Sequence, residues 1–255
     1  MKTNTIKEIA EYLKKVQTLD DPFMKDLLND ERKGVQKLVR QWIKEQEQKK
    51  AKREKFDQMM KYEKKMKKQG FQHIAGIDEV GRGPLAGPVV SAAVILPDHF
   101  YLPGINDSKQ LSETKREEFY EVIINAAIAI GTGIISAEEI DVVNIYEATK
   151  KAMLAAIGTL DTTPDYCLID AMKLTMPIPY TSIIKGDATS VSIAAASIVA
   201  KVTRDRLMKQ YGEEYPEYKF ENNMGYGTKE HLLALEKYGP CPIHRKSFAP
   251  IKDFV

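Results

Sequence analysis

The segment from Ile74 to Pro88 constrains this chain most. An apolar, strand-like run, Ile74-Ala75-Gly76-Ile77, ends in Asp78 and Glu79, and Val80-Gly81-Arg82-Gly83-Pro84 follows at once. Adjacent carboxylates repel, so a chain that sets them at the end of a buried strand neutralises them with a cation. Glycine admits positive φ and close backbone approach to a ligand. An arginine between glycines can contact phosphate. Acids suited to a metal, beside glycines and a cation suited to a backbone, point to a site acting on a phosphodiester.

From Ile74 onward the pattern alternates strands and helices. Ile74 to Asp78, Val89 to Leu96 and Ile128 to Ser136 read as strands, and Ser112 to Ala127 as a helix capped by Ser112. Asn144 to Leu160 reads as a helix with alanines for close packing, Tyr166 to Asp170 and Tyr180 to Ile184 as short strands. Ser190 to Tyr211 and Lys229 to Tyr238 read as helices. Strands first, then strand–helix–strand units, imply an α/β fold: a mixed sheet with helices on both faces. Residues 1–70 read as helices, with apolar stripes through Ile6, Ile9, Leu13 and Val16, then Leu27 and Leu28, then Leu38, Val39, Trp42 and Ile43. Lys44 to Lys68 is almost wholly polar, a long exposed helix or a partly disordered connector. Gly70 marks the boundary, giving a basic helical extension over 1–70 and a catalytic domain over 71–255.

Charge follows that division. Residues 1–70 hold 20 Lys/Arg and 12 Asp/Glu, a net of +8, and the remaining 18 and 24 give the rest −6. A basic arm on an enzyme of phosphodiesters provides non-specific backbone attraction; the alternative is a solvated helix. The longest apolar runs fall far short of the ~18 residues of a membrane span, and Met1 to Val16 lacks the apolar core of a secretion signal. Cys167 and Cys241 read as reduced thiols, which fits the cytoplasm. No Cys/His spacing forms a zinc site, so any metal is expected to be oxygen-bound.

Asp78 and Glu79, Asp170 and Asp187 each follow a separate strand-like run. They converge only if those strands share a sheet, and carboxylate oxygens gathered there suit Mg²⁺ or Mn²⁺. Asp205 competes with Asp187 for the fourth place. His231 and His244 read as packing or surface residues. Ser108 and Lys109 are candidate phosphate contacts in a loop, with Lys185, Lys201 and Arg204 as further candidates.

The Ile74–Pro88 run resembles the first catalytic motif of type 2 ribonucleases H, and the form with Arg82 is similar to ribonuclease HII. The resemblance recurs at Asn106 to Leu111, Leu168 to Ala171, Lys185 to Asp187, Ser192 to Asp205 and Gly225 to Thr228. It implies the ribonuclease H-like fold with the first three strands antiparallel. It implies Asp78, Glu79, Asp170 and Asp187 as catalytic, metal-binding carboxylates, with Mn²⁺ or Mg²⁺ as cofactor. It also implies that Gly81, Arg82 and Gly83 read the ribose on the 5′ side of the cut, while Tyr226 stacks on the next sugar. RNA–DNA hybrid duplexes and DNA with embedded ribonucleotides are then the expected partners, cut to 3′-hydroxyl and 5′-phosphate ends. The resemblance starts near Gln72 and carries nothing over to residues 1–70. Two alternatives remain: an HIII-like nuclease of longer RNA tracts, against which Arg82 and Tyr226 argue, and a non-catalytic binding module, against which the four acids argue. The Lys252–Val255 tail is too short to establish a contact with a replication clamp.

Overall fold

A computed structural model of the chain describes residues 4–254. They form two compact units, one reaching to Lys55 and the other starting at Phe56.

The first unit is helical. α1 (Ile6–Leu13) opens on a reciprocal cap, in which Thr5 and Glu8 satisfy each other's exposed amides. α2 (Pro22–Leu28) starts with Asp21 as N-cap and Pro22 in the first turn, the arrangement its sequence predicts. The 27-residue α3 (Lys33–Met59) follows. Ile9, Leu13, Phe23, Met24, Leu27, Val35, Val39 and Trp42 form the apolar cluster here. The predicted stripes are thus largely the faces that bury, except that Ile6 and Leu28 are exposed.

The polar stretch expected from Lys44 to Lys68 is helical, covering the rest of α3 and α4 (Lys61–Lys68). Phe56, Met59 and Met66 are its buried anchors, and all three pack within the second unit.

That unit is built on five strands: β1 (Ile74–Val80), β2 (Val89–Ile95), β3 (Ala129–Ile135), β4 (Tyr166–Asp170) and β5 (Tyr180–Ile183). Their order is β3-β2-β1-β4-β5. β1–β2 and β2–β3 are antiparallel, whereas β1–β4 and β4–β5 are parallel. This is the mixed, ribonuclease H-like sheet that the sequence predicts, with helices preceding its first strand. α5 (Glu113–Ala126), α7 (Ile145–Gly158) and α9 (Lys229–Tyr238) match their expected spans within two residues. α6 (Ala137–Val143) was not foreseen: Ser136 caps it where the sequence pattern had closed a strand.

The long α8 (Val191–Glu214) covers the centre of the sheet. Its Ala-rich first half is buried. Contact with β1 is so close that a Cβ on Gly76 would lie 2.0 Å from the carbonyl carbon of Ser192. Only glycine fits there. Among the described residues no helix is long and apolar enough to cross a membrane, and Cys167 and Cys241 are free thiols.

Candidate active site

The register of the sheet gathers the acids. Ile77 on β1 pairs with Ile169 on the parallel β4, and one step beyond that last pair stand Asp78 and Asp170. Glu79 follows on β1, opposite Ser91 of β2. Carboxylate oxygens of Asp78, Glu79 and Asp170 all lie within 4.8 Å of one another. Asp187 stands outside this trio, on a 3-10 turn (Gly186–Ala188) between β5 and α8.

The trio is strained electrostatically. Asp78 is almost fully buried, and desolvation, then Glu79 and Asp170, push its carboxyl well above the usual range. Burial also raises Glu79, against the pull of Arg82, whose Nη1 stands 3.4 Å from its Oε1. Asp170 is raised by burial and held back by a 2.6 Å hydrogen bond from the Gly186 amide. Desolvation raises Asp187, with Asp107 and Asp170 adding to it and Lys109 opposing. The second carboxylate oxygen of Glu79 is buried and has no hydrogen-bond partner. A polar atom left so costs about 1–3 kcal/mol. Converging hard oxygen donors, mutual repulsion and an orphaned oxygen together fit a divalent cation of the Mg²⁺ or Mn²⁺ type.

Beside the acids lies an open groove of about 500 Å³, lined by Glu79, Gly81, Arg82, Gly83, Lys109 and Tyr226 among others. Arg82, Gly83, Lys109 and Tyr226 are exposed. Gly81 adopts φ +90°, a conformation that glycine alone takes without strain. Ser108, by contrast, is buried, and its hydroxyl shares a 2.9 Å hydrogen bond with Ser197 of α8. The competing acid Asp205 is engaged elsewhere, by Lys201 and by Arg116 at 3.5 Å.

What sequence reasoning missed lies under the groove. Arg204, expected as an outward phosphate contact, is fully buried and donates to the carbonyls of Pro88, Ala86 and Met224 at 2.9–3.1 Å. Arg245 is equally buried and binds the carbonyls of Gly81, Arg82 and Gly87. Burial pulls the two guanidinium groups down to about 10 and about 9, respectively. The two cations clamp the glycine-rich loop from beneath. Arginine is seldom buried, so neither position carried a signal of it.

The Tyr226 loop has its own anchor. Hydrogen bonding assigns the proton positions: the Cys241 amide donates to His244 Nδ1 at 2.9 Å, which puts the proton of neutral His244 on Nε2. That nitrogen lies 2.9 Å from His231 Nε2, and His231 Nδ1 then donates to the Tyr226 carbonyl at 2.9 Å. Both imidazoles are buried, as the packing expectation for them required. Of the C-terminal tail, Ile251–Asp253 forms a 3-10 turn and Phe254 is exposed. Val255, the last residue of the candidate clamp contact, lies outside the described residues.

Comparison with known proteins agrees with this geometry. Residues 75–251 match the family model described as Ribonuclease HII, and residues 5–67 match Ribonuclease HII N-terminal domain. The second match corrects the expectation that the resemblance begins only near Gln72 and carries nothing over to residues 1–70. A ribonuclease HII of Bacillus cereus (strain B4264) is 61% identical over 255 residues, covering 100% of this chain and 99% of that protein. Among solved structures, ribonuclease H2 from Pyrococcus horikoshii OT3 superposes with a TM-score of 0.62 at 25% identity, covering 72% of this chain and 97% of that one. Ribonuclease HII of Archaeoglobus fulgidus, solved in complex with PCNA, gives 0.60 at 26% identity, covering 69% and 95%. With residues 75–251 matched by the family model, a relative 61% identical over the full length and its acids gathered, the chain belongs to the ribonuclease HII family.

Proposed function

We propose that this chain, a metal-dependent endonuclease of the RNA strand in RNA–DNA hybrids, also incises duplex DNA on the 5′ side of single embedded ribonucleotides. The observation that carries this reading is the trio Asp78, Glu79 and Asp170, whose Glu79 lines a groove that also presents Arg82 and Tyr226. In this proposal residues 71–255 are the catalytic domain and residues 1–70 a basic extension that adds affinity for the duplex backbone.

Asp78, Glu79, Asp170 and Asp187 would hold two Mn²⁺ or Mg²⁺ ions. Such a pair, when bound, supplies water activation on one side of phosphorus and stabilisation of the leaving oxygen on the other. The chain's own groups do the rest. Arg82 and Lys109, the exposed cations beside the acids, offset the substrate's phosphate charge. Gly81 and Gly83 bring the backbone close to the ribose, where an amide can sense the 2′-hydroxyl that distinguishes RNA. The clamp from Arg245 occupies the Gly81 and Arg82 carbonyls and so fixes the loop for that contact. Ser108 contributes by anchoring the Lys109 loop on Ser197. Tyr226, held by its carbonyl, stacks on the neighbouring sugar when that is a deoxyribose, favouring an RNA–DNA junction. Free thiols accord with a reducing, cytoplasmic setting.

The test is cleavage of a labelled DNA duplex carrying one ribonucleotide, with Mn²⁺, Mg²⁺ or EDTA, by the intact chain and by Asp170→Asn. The expected result is metal-dependent 5′ incision that the variant loses. Cutting of long RNA tracts alone would refute the junction reading while keeping the chemistry.

A further inference from the structure

The extension and the acidic trio meet through one buried carboxyl. Glu63, on α4, is only 6% exposed. Its Oε1 accepts the Ser190 hydroxyl at 2.6 Å and the Ser192 amide at 2.9 Å, so it completes the N-terminal cap of α8. A carboxylate is the favoured group there, because the first amides of a helix have no partner within it and carry partial positive charge. Ser190 is itself the N-cap of α8 and accepts from the Ile193 amide.

From this cap, contacts lead to both sides of the candidate metal centre. The Ser190 amide donates to the Gly186 carbonyl at 2.8 Å. The Gly186 amide donates to Asp170 Oδ1 at 2.6 Å, and Asp187 is the next residue along. On the other side, the Ser192 backbone lies against Gly76, two residues before Asp78. The start of α8 is thus wedged between the strand that carries Asp78 and Glu79 and the turn that supports Asp170 and carries Asp187.

We propose that Glu63 is a positioning residue for the metal centre: by locking the start of α8 it sets Asp170 and Asp187 in register with Asp78 and Glu79. The segment matched by the N-terminal domain family model therefore supplies part of the catalytic architecture as well as basic charge. This inference rests on the reading of the acids as metal ligands. Nearly isosteric Glu63→Gln keeps an oxygen acceptor for Ser190 and Ser192, whereas Glu63→Ala removes it.

The experiment titrates Mn²⁺ into the full-length protein without substrate, by calorimetry, for wild type, Glu63→Ala, Glu63→Gln and Asp170→Asn. Hybrid affinity is measured in EDTA alongside. Loss of a group that orients metal ligands weakens metal binding about 10- to 100-fold. The expected result is therefore a Mn²⁺ affinity at least about tenfold weaker in Glu63→Ala, rescued in Glu63→Gln, with hybrid affinity in EDTA unchanged. If Glu63→Ala does not fold, Ser190→Ala breaks the same link from the other side and is held to the same standard. A folded variant with the wild-type Mn²⁺ isotherm would overturn the inference while leaving the metal site intact. Wild-type protein that binds Mn²⁺ no better than Asp170→Asn would overturn the metal reading first, and the inference with it.

Discussion

Arg245→Met tests whether the guanidinium beneath the glycine-rich loop holds that loop in place. Arg245 donates four hydrogen bonds to three carbonyls: Gly87 twice at 2.8 and 3.0 Å, Arg82 at 2.9 Å and Gly81 at 2.5 Å. Methionine fills similar space and donates nothing. The Arg82 carbonyl lies toward the surface and can be rehydrated, but those of Gly81 and Gly87 are left buried. Each orphaned carbonyl costs about 1–3 kcal/mol, or roughly 2–6 for the pair. Part of this is offset because the variant no longer buries a cation beside Arg204, the second cause after burial that depresses Arg245. We expect a net loss of about 2–4 kcal/mol. With a urea m-value of ~2 kcal/mol/M, the midpoint falls by about 1–2 M. Far-UV circular dichroism is the suitable probe, since the single tryptophan, Trp42, lies in the first helical unit. Cleavage below the transition should fall too, because the loop proposed to face the ribose has lost its support. Arg245→Lys should recover only part of either loss, its ammonium lacking the planar fork. A Met variant with an unchanged midpoint and full cleavage would refute the clamp.

Tyr226→Ala should impair cutting at a single ribonucleotide more than cutting of a long RNA tract, read as the ratio of the two rates; equal loss on both would exclude the stacking role. Asp78→Asn should abolish cleavage yet raise the melting temperature in EDTA, because burial and its two neighbouring acids push that carboxyl up; a raised folded-state pKa binds extra protons, so stability falls as pH rises through it. Mn²⁺ should then raise the wild-type melting temperature and leave the variant's almost unmoved. The opposite sign holds for His244, lowered to about 4 by burial and then His231: stability is full above about pH 6.5 and declines as pH falls toward 4, where the unfolded chain takes up the proton first. His244→Gln should flatten that decline in a pH series of urea midpoints. A chain starting at Phe56 should stay folded and bind hybrid with a shallower salt dependence, each lost phosphate contact removing about 0.9 from the log–log slope. One starting at Phe71 should melt lower, having lost buried Phe56, Met59 and Met66.

Local patterns in the sequence carried most of the sheet. Acids directly after apolar runs marked the strands: Asp170 ends β4, whereas β1 runs past Asp78 and Glu79 to Val80, and the register of β1 with β4 brings Asp78 and Asp170 together. Caps were legible where side-chain chemistry is local, as at Ser112. Long-range burial was not. Nothing in Thr203-Arg204-Asp205 distinguishes an arginine facing phosphate from one facing three carbonyls, because two of those carbonyls, of Ala86 and Pro88, lie more than a hundred residues away in the chain. Glu63 was hidden in the same way, one acid in a lysine-rich helix whose partners follow about 130 residues later. Ser108 was read as a surface contact because its partner, Ser197, sits on a helix that folds back over it.

The central place of β1 has a consequence for the lifetime of the cutting site. β1 is paired along both edges over Ala75 to Ile77, and along β2 as far as Val80. A fluctuation that frees Asp78 and Glu79 must break the β2 pairing and lift α8 from Gly76. Its free energy therefore approaches that of global unfolding. In native-state hydrogen exchange the amides of β1 should be among the last to acquire deuterium, while those of the exposed Tyr226 loop exchange early. If the Tyr226 loop grips nucleic acid as proposed, a chain that opens locally loses that grip well before the acids come apart, and partly unfolded molecules should be poor binders rather than unselective cutters.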